Sequence, residues 1–228
     1  MLRKEKIKEL EKKIGYEFKK KELIWQALTH SSFSNEQKIN KYKNYERLEF
    51  LGDAVLELLS SQFFFETYPE MPEGEMTKLR SSMVCELALA YCARDISLGD
   101  YLLLGKGEEA TGGRTRDSII SDVMEAVIGA LYLDGGLAVA DAFVKKYILS
   151  DLESKQLFYD SKTILQEEVQ KEGKNLTYEL VSEIGPDHDK IFVMEVRIDG
   201  QMAGKGQGRN KKTAQQQAAY QALLARKK

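Results

Sequence analysis

Three acids interrupt an otherwise apolar stretch in Glu46-Arg47-Leu48-Glu49-Phe50-Leu51-Gly52-Asp53-Ala54-Val55-Leu56. On a helix, Glu46, Glu49 and Asp53 fall at roughly 0°, 300° and 340°, within about 60° of one another. Like charges stacked this way repel and weaken the helix. They also resist burial unless something positive meets them. A divalent cation is the simplest positive partner for clustered carboxylates, and a solvated acidic stripe is the bland alternative. A second acidic pair favours the cation. Asp122 and Glu125 stand three apart in Ser118-Ile119-Ile120-Ser121-Asp122-Val123-Met124-Glu125-Ala126-Val127-Ile128-Gly129-Ala130, a segment otherwise apolar or small.

Two apolar helices with acids at matched spacings can build one oxygen-rich site between them. All-carboxylate ligation suits Mg²⁺ or Mn²⁺, whereas zinc would call for Cys or His. The usual chemistry of such a site is phosphoryl transfer, in which metals activate a water and stabilise the leaving oxygen. Glu57 continues the first acidic face by spacing and reads as a solvated or capping charge.

The elements that must position these acids are helical up to about residue 150. Segments near 4–13, 21–32, 42–66, 75–95, 114–134 and 137–151 carry apolar residues at helical intervals. Breaks fall at Pro69 and Pro72, Gly99, Gly105/Gly107, Gly112-Gly113 and Gly135-Gly136. Phe63-Phe64-Phe65 reads as core. Cys85 and Cys92 lie seven apart on one helix face with no partner His, which suits buried reduced thiols.

The texture changes after a polar junction at 151–160. A helix capped by Asp160 or Ser161 runs to Lys171, and strand signals follow at 177–184, 191–198 and 201–207. In the second strand Phe192, Met194, Val196 and Ile198 alternate with Ile191, Val193, Glu195 and Arg197. An Ala-rich helix from Asn210 to Arg226 ends the series. Gly204, Gly206 and Gly208 suggest a nucleotide loop, but without a preceding βαβ context they read as strand-edge glycines before a helix.

At 228 residues, 43% apolar and 31% charged, the chain is an ordinary globular protein with ample length for a core. No apolar run approaches the roughly 18 residues of a membrane span. The charged N-terminus lacks a secretory apolar region, so a cytoplasmic location is expected. The net charge of −2 hides an asymmetry: residues 1–154 balance at −5 and residues 155–228 at +3. That excess suits a nucleic-acid partner for the C-terminal part, since phosphate contacts supply most non-specific affinity, although a basic face is more often merely solvated.

The segment Glu46 to Leu56 resembles the signature of bacterial ribonuclease III, the endonuclease that cuts double-stranded RNA. Leu28-Thr29-His30-Ser31-Ser32, Glu73-Gly74-Glu75-Met76-Thr77-Lys78-Leu79-Arg80, Leu104-Gly105-Lys106-Gly107-Glu108-Glu109 and the Asp122/Glu125 helix match that family in order. The resemblance implies a mainly α endonuclease domain over 1–154, a linker at 155–158 and a small α-β-β-β-α double-stranded RNA-binding domain over 159–228. It makes Glu49, Asp53, Asp122 and Glu125 the metal ligands, with Asp53 and Glu125 tied to cleavage. Glu46 takes a supporting role near the subunit interface. Phe33 stands where the family often has Tyr, and Ser121 where it often has Ala; neither replaces a ligand.

In the C-terminal domain the matching residues are Gly185-Pro186-Asp187-His188-Asp189-Lys190 and Lys211-Lys212-Thr213-Ala214-Gln215-Gln216-Gln217-Ala218-Ala219. A-form RNA hides its base edges, so recognition goes through phosphates, 2′-hydroxyls and shape. Thr163, Gln166, Glu167 and Gln170 share one helix face toward the 2′-hydroxyls, and His188 matches a minor-groove contact. Arg209, Lys211 and Lys212 sit where cations and orphan N–H groups can clamp phosphates.

The implied activity is Mg²⁺-dependent hydrolysis (Mn²⁺ also suits the site) to 5′-phosphate and 3′-hydroxyl ends with a two-nucleotide 3′ overhang. Its setting would be the maturation of ribosomal RNA precursors and other structured transcripts. One acid cluster per chain against two strands implies a homodimer. No organic cofactor and no membrane partner are expected. The competing class is a protein that binds duplex RNA on the same scaffold without cutting it. A phosphohydrolase of small molecules would leave the C-terminal module unexplained.

Overall fold

The computed structural model describes residues 2–38, 40, 42–152, 155, 157, 160–185, 190–208 and 210–226, with only the backbone at 2–4. The chain divides into two compact units, Met1–Ser150 and Asp151–Lys228. Residues 156 and 158 of the expected linker lie outside the described residues.

The first unit contains α1 (Leu2–Ile14), α2 (Lys21–Ala27), α3 (Ser31–Glu36), α4 (Glu46–Thr67), α5 (Glu73–Val84), α6 (Glu86–Asp95), α7 (Lys106–Ala110), α8 (Asp117–Gly135) and α9 (Leu137–Tyr147). Short 3₁₀ turns at Leu98–Tyr101 and Gly113–Thr115 join the later ones. Helix α8 is the hub. Ile119, Ile120, Val123, Met124, Val127, Ile128 and Leu131 are all buried on it, each worth roughly 1.5–3 kcal/mol. A helix buried nearly all round belongs at the centre of a domain.

Its main partner is α4, and two glycines set the crossing. A Cβ on Gly52 would stand 1.8 Å from the Glu125 carbonyl oxygen, and one on Gly129 2.3 Å from that of Leu48. Backbone can meet backbone only where neither helix carries a side chain.

Two expected helices are interrupted. The segment 21–32 breaks because Thr29 and His30 leave the helix to pair with Leu103: His30 N–H donates to the Leu103 carbonyl at 3.0 Å and Leu103 N–H to that of Leu28 at 2.8 Å. His30 then caps α3, its Nδ1 accepting from Ser32 N–H at 3.1 Å. The segment 75–95 breaks at Cys85, which is extended (φ −71°, ψ 162°). With neither Gly nor Pro there, the periodicity runs through the joint unmarked. Cys85 is therefore not on a helix face with Cys92; it is half-buried, Cys92 is buried, and neither forms a disulfide. Of the three phenylalanines, Phe64 is core, whereas Phe65 is 71% exposed.

The second unit contains α10 (Ser161–Lys171), an antiparallel sheet in the order β1 (Leu176–Ile184), β2 (Ile191–Ile198), β3 (Gln201–Gly208), and α11 (Lys211–Arg226). Asp199 and Gly200, both at positive φ (49° and 79°), make the tight turn between β2 and β3. Leu165, Val169, Val196, Ala218, Ala219, Ala222 and Leu223 form its core. Gly204 and Gly206 lie inside edge strand β3, not merely beside a helix, and let α11 press on the sheet. A Cβ on Gly206 would come 2.2 Å from the Ala218 nitrogen.

Asp160 makes no side-chain cap on α10. The Ser161 hydroxyl instead donates to the Gln216 carbonyl at 2.8 Å, joining α10 to α11.

Candidate active site

The α4–α8 crossing brings together the acids expected of the site. Glu49 and Asp53 stand on α4 on either side of Gly52, while Asp122 and Glu125 stand on α8 where Gly52 meets it. Glu49, Asp122 and Glu125 are half-buried; Asp53 and Glu46 are exposed.

Electrostatics shows the mutual proximity. Burial, then Asp122, Glu46 and Asp53, pushes Glu49 up to about 7. Burial, then Asp53, Asp122, Glu49 and Glu57, pushes Glu125 up to about 8. Burial also raises Asp122, partly offset by a hydrogen bond from Tyr45. Every charged neighbour that shifts Glu49 or Glu125 is itself an acid. Desolvation and like charge act in the same direction on these groups.

Among the described residues, no group of three or more His, Cys, Asp or Glu side chains is placed to hold a metal ion. Mutual repulsion of the acids opposes such a closed arrangement. The donor set fits a hard divalent cation: it is all oxygen, three of its four carboxylates are half-buried, and the charges that shift Glu49 and Glu125 are all acids.

Arg94 pairs with Asp117, and Arg116 with Glu108. Glu57 is not simply solvated, because Arg80 Nε lies 3.1 Å from its carboxylate. The sequence hid this pair because Arg80 belongs to another helix, α5.

Tyr45 is a site residue that spacing missed. It is buried at the start of α4, and its hydroxyl donates to Asp122 Oδ2 at 3.2 Å. The sequence signal was slight: an aromatic with a hydroxyl immediately before the acidic stretch.

In the second unit Thr163, Gln166, Glu167 and Gln170 are exposed on α10, and Lys211 and Lys212 are exposed in the first turn of α11. His188 and Arg209 lie outside the described residues. Lys162, also missed, links the two helices: its Nζ donates to Gln215 Oε1 at 2.6 Å and sits 5.0 Å from the Tyr178 ring centre. Burial, then the charge of Lys212, lowers its pKa.

An acid-bearing helical body with a basic α-β-β-β-α module defines a two-part nucleic-acid hydrolase. Residues 20–152 match the family described as ribonuclease-III-like, and residues 161–225 match the double-stranded RNA binding motif. A relative named Ribonuclease 3 from Bacillus velezensis is 48% identical, covering 98% of this chain and 91% of its own length. Another of that name, from Caldanaerobacter subterraneus, is 50% identical over 94% of this chain and 95% of its own length. A solved nuclease domain of ribonuclease III from Campylobacter jejuni is 42% identical with a TM-score of 0.58, covering 62% of this chain and 95% of its own. The chain belongs to the ribonuclease III family.

Proposed function

We propose that this chain hydrolyses phosphodiester bonds of double-stranded RNA at the α4–α8 crossing, leaving 5′-phosphate and 3′-hydroxyl ends. The observation that carries the reading is that Asp53 and Asp122 each help to raise both Glu49 and Glu125 where α4 crosses α8. These four carboxylates would hold Mg²⁺, or Mn²⁺ in its place, with Asp53 and Glu125 nearest the reacting phosphate and Glu46 supporting. A divalent cation bound there supplies Lewis-acid polarisation of the phosphoryl group and lowers the pKa of water.

The chain's own residues orient and attract. Tyr45 holds the Asp122 carboxylate at one oxygen. Residues 159–228 bring the duplex: Lys211 and Lys212, with Arg209, would grip phosphates, while Thr163, Gln166, Glu167, Gln170 and His188 would meet the minor groove. This attraction offsets the net −5 of residues 1–154.

The working form is a homodimer, since one acid cluster serves one strand. Phe50, Leu58 and Phe65 are 81%, 55% and 71% exposed on α4, and at helical spacing they share one face within about 80°. Such a stripe suits a second copy. The Campylobacter jejuni nuclease domain has a structurally flexible region involved in dimer formation. Among the described residues no helix is long and apolar enough to cross a membrane. We assign the enzyme to the cytoplasm, acting on ribosomal RNA precursors and other structured transcripts.

The test is incubation with duplex RNA, single-stranded RNA and duplex DNA, with and without Mg²⁺, followed by mapping of the product ends. Cleavage of duplex RNA alone, dependent on Mg²⁺, is expected. Binding without cleavage under all metal conditions would leave only an RNA-binding protein.

A further inference from the structure

The motif Leu28-Thr29-His30-Ser31-Ser32 holds none of the four acids, yet the structure connects it to one of them through Tyr45. The Thr29 carbonyl accepts the Tyr45 N–H at 2.9 Å, and the His30 ring lies tilted against the Tyr45 ring at 5.6 Å between centres. The seat is itself anchored. Thr29 Oγ1 donates to the Trp25 carbonyl at 2.7 Å, His30 N–H bonds the Leu103 carbonyl, and Gly105 N–H donates to Ser32 Oγ at 2.9 Å. From this seat the buried Tyr45 reaches 77 residues along the chain to Asp122 Oδ2. Among the described residues, no hydrogen bond holds the side chains of Glu49, Asp53 or Glu125. Asp122 therefore has the fixed carboxylate of the four.

We propose that Tyr45 is a positioning residue: seated on the Thr29–His30 turn, it fixes the Asp122 carboxylate so that the loose acids can close around a divalent cation. A phenol is suited to the task, since its rigid ring has two side-chain torsions and carries its donor far from the backbone. The pair also ties the start of α4 to the face of α8, so the two acid-bearing helices share a polar link as well as their apolar contact. Outer partners that orient metal ligands are worth about 10–100-fold in metal affinity or activity. The inference rests on the metal-site reading above.

The experiment measures Mn²⁺ binding by electron paramagnetic resonance on the full chain without RNA, for the parent, Tyr45→Phe and Asp122→Asn. Tyr45→Phe keeps the ring and removes the donor. We expect its Mn²⁺ dissociation constant to rise about tenfold, with duplex RNA binding in EDTA unchanged. The Mg²⁺ concentration for half-maximal cleavage should rise in parallel, while the rate at saturating Mg²⁺ largely recovers. A purely structural role would not give that recovery.

If Asp122→Asn weakens Mn²⁺ binding but Tyr45→Phe stays within twofold of the parent, the positioning role is wrong and the metal site stands. If neither variant changes Mn²⁺ binding, the metal-site reading falls and takes the inference with it. Should Tyr45→Phe fail to fold, Tyr45→Met keeps much of the bulk without the hydroxyl and is read by the same criteria.

Discussion

Gly52 and Glu125 meet through backbone: a Cβ added to Gly52 would lie 1.8 Å from the Glu125 carbonyl oxygen and 2.6 Å from its carbonyl carbon. The same contact that permits the helix crossing thus fixes the height of Glu125 against Asp53, the residue that follows Gly52. Helix backbone cannot shift to admit a methyl group without moving all the acids. Gly52→Ala is expected to destabilise the first unit by about 1–3 kcal/mol, lowering its melting temperature by roughly 2–4 °C per kcal/mol. Cleavage should fall further than the loss of folded protein explains. A variant with parental stability and rate would show that the helices have room to spare.

The acids and the helices that carry them were legible in the sequence, because a 3.6-residue period records which face is buried. The crossing was not. A glycine inside a helix reads as a weakness until its partner helix is known, and Gly52 and Gly129 explain each other only in three dimensions. Cys85 shows the opposite failure, a break with no sequence mark. Glu57 and Tyr45 show a third, since their partners Arg80 and Asp122 lie on other helices. The glycines of β3 read from sequence only as strand-edge residues before a helix, because their close approach to α11 is visible only once the sheet register is known.

Glu125→Gln keeps the shape of the side chain and removes its charge. Burial and four acids already push Glu125 up to about 8, so the neutral amide should fold at least as well as the parent. Cleavage of duplex RNA should fall by at least about a hundredfold, ~2.7 kcal/mol of barrier. Duplex binding in a gel-shift assay should persist, because Lys211 and Lys212 belong to the other unit. Parental cleavage in Mg²⁺ would sink the assignment.

The same acids predict how stability depends on pH. Glu49 and Glu125 ionise at about 7 and about 8 in the folded chain, against an ordinary 4.5. Between pH 4.5 and 8 the folded state therefore holds more protons than the unfolded state, and stability falls as pH rises through that window. In EDTA the parent should lose more melting temperature between pH 5.5 and 8.5 than Glu125→Gln does. The difference should be about 2–4 °C, corresponding to roughly 1 kcal/mol after solvent screening. Mg²⁺ should restore more at pH 8.5 than at pH 5.5, since it competes with protons for the carboxylates. Equal pH profiles for parent and variant would count against the shared field.

The exposed stripe on α4 predicts an oligomer that one charge can break. Phe50, 81% exposed, is the most open of the three residues. Phe50→Asp would place a carboxylate in any apolar contact built there, a cost of several kcal/mol. Sedimentation should show the parent as a dimer and the variant shifted toward monomer, with the dissociation constant raised about a hundredfold or more. An unchanged dimer would move the interface elsewhere.

Lys211 and Lys212 begin α11 with their side chains exposed, in a first turn whose Thr213 N–H is capped by Asn210 Oδ1 at 2.8 Å. Lys211 Nζ lies 5.9 Å from the Phe192 ring centre, a contact that keeps the ammonium near the sheet. If both lysines meet RNA phosphates, replacing the pair with Ala should weaken duplex binding and flatten its dependence on salt. The slope of log affinity against log salt should become shallower by about 1 for each lysine lost. The loss should be the same for duplexes of unrelated sequence, because phosphate contacts carry no base information. Cleavage at saturating RNA and low salt should approach the parental rate, since the acids at the α4–α8 crossing are untouched. An unchanged salt slope would place the phosphate grip on other residues of the module.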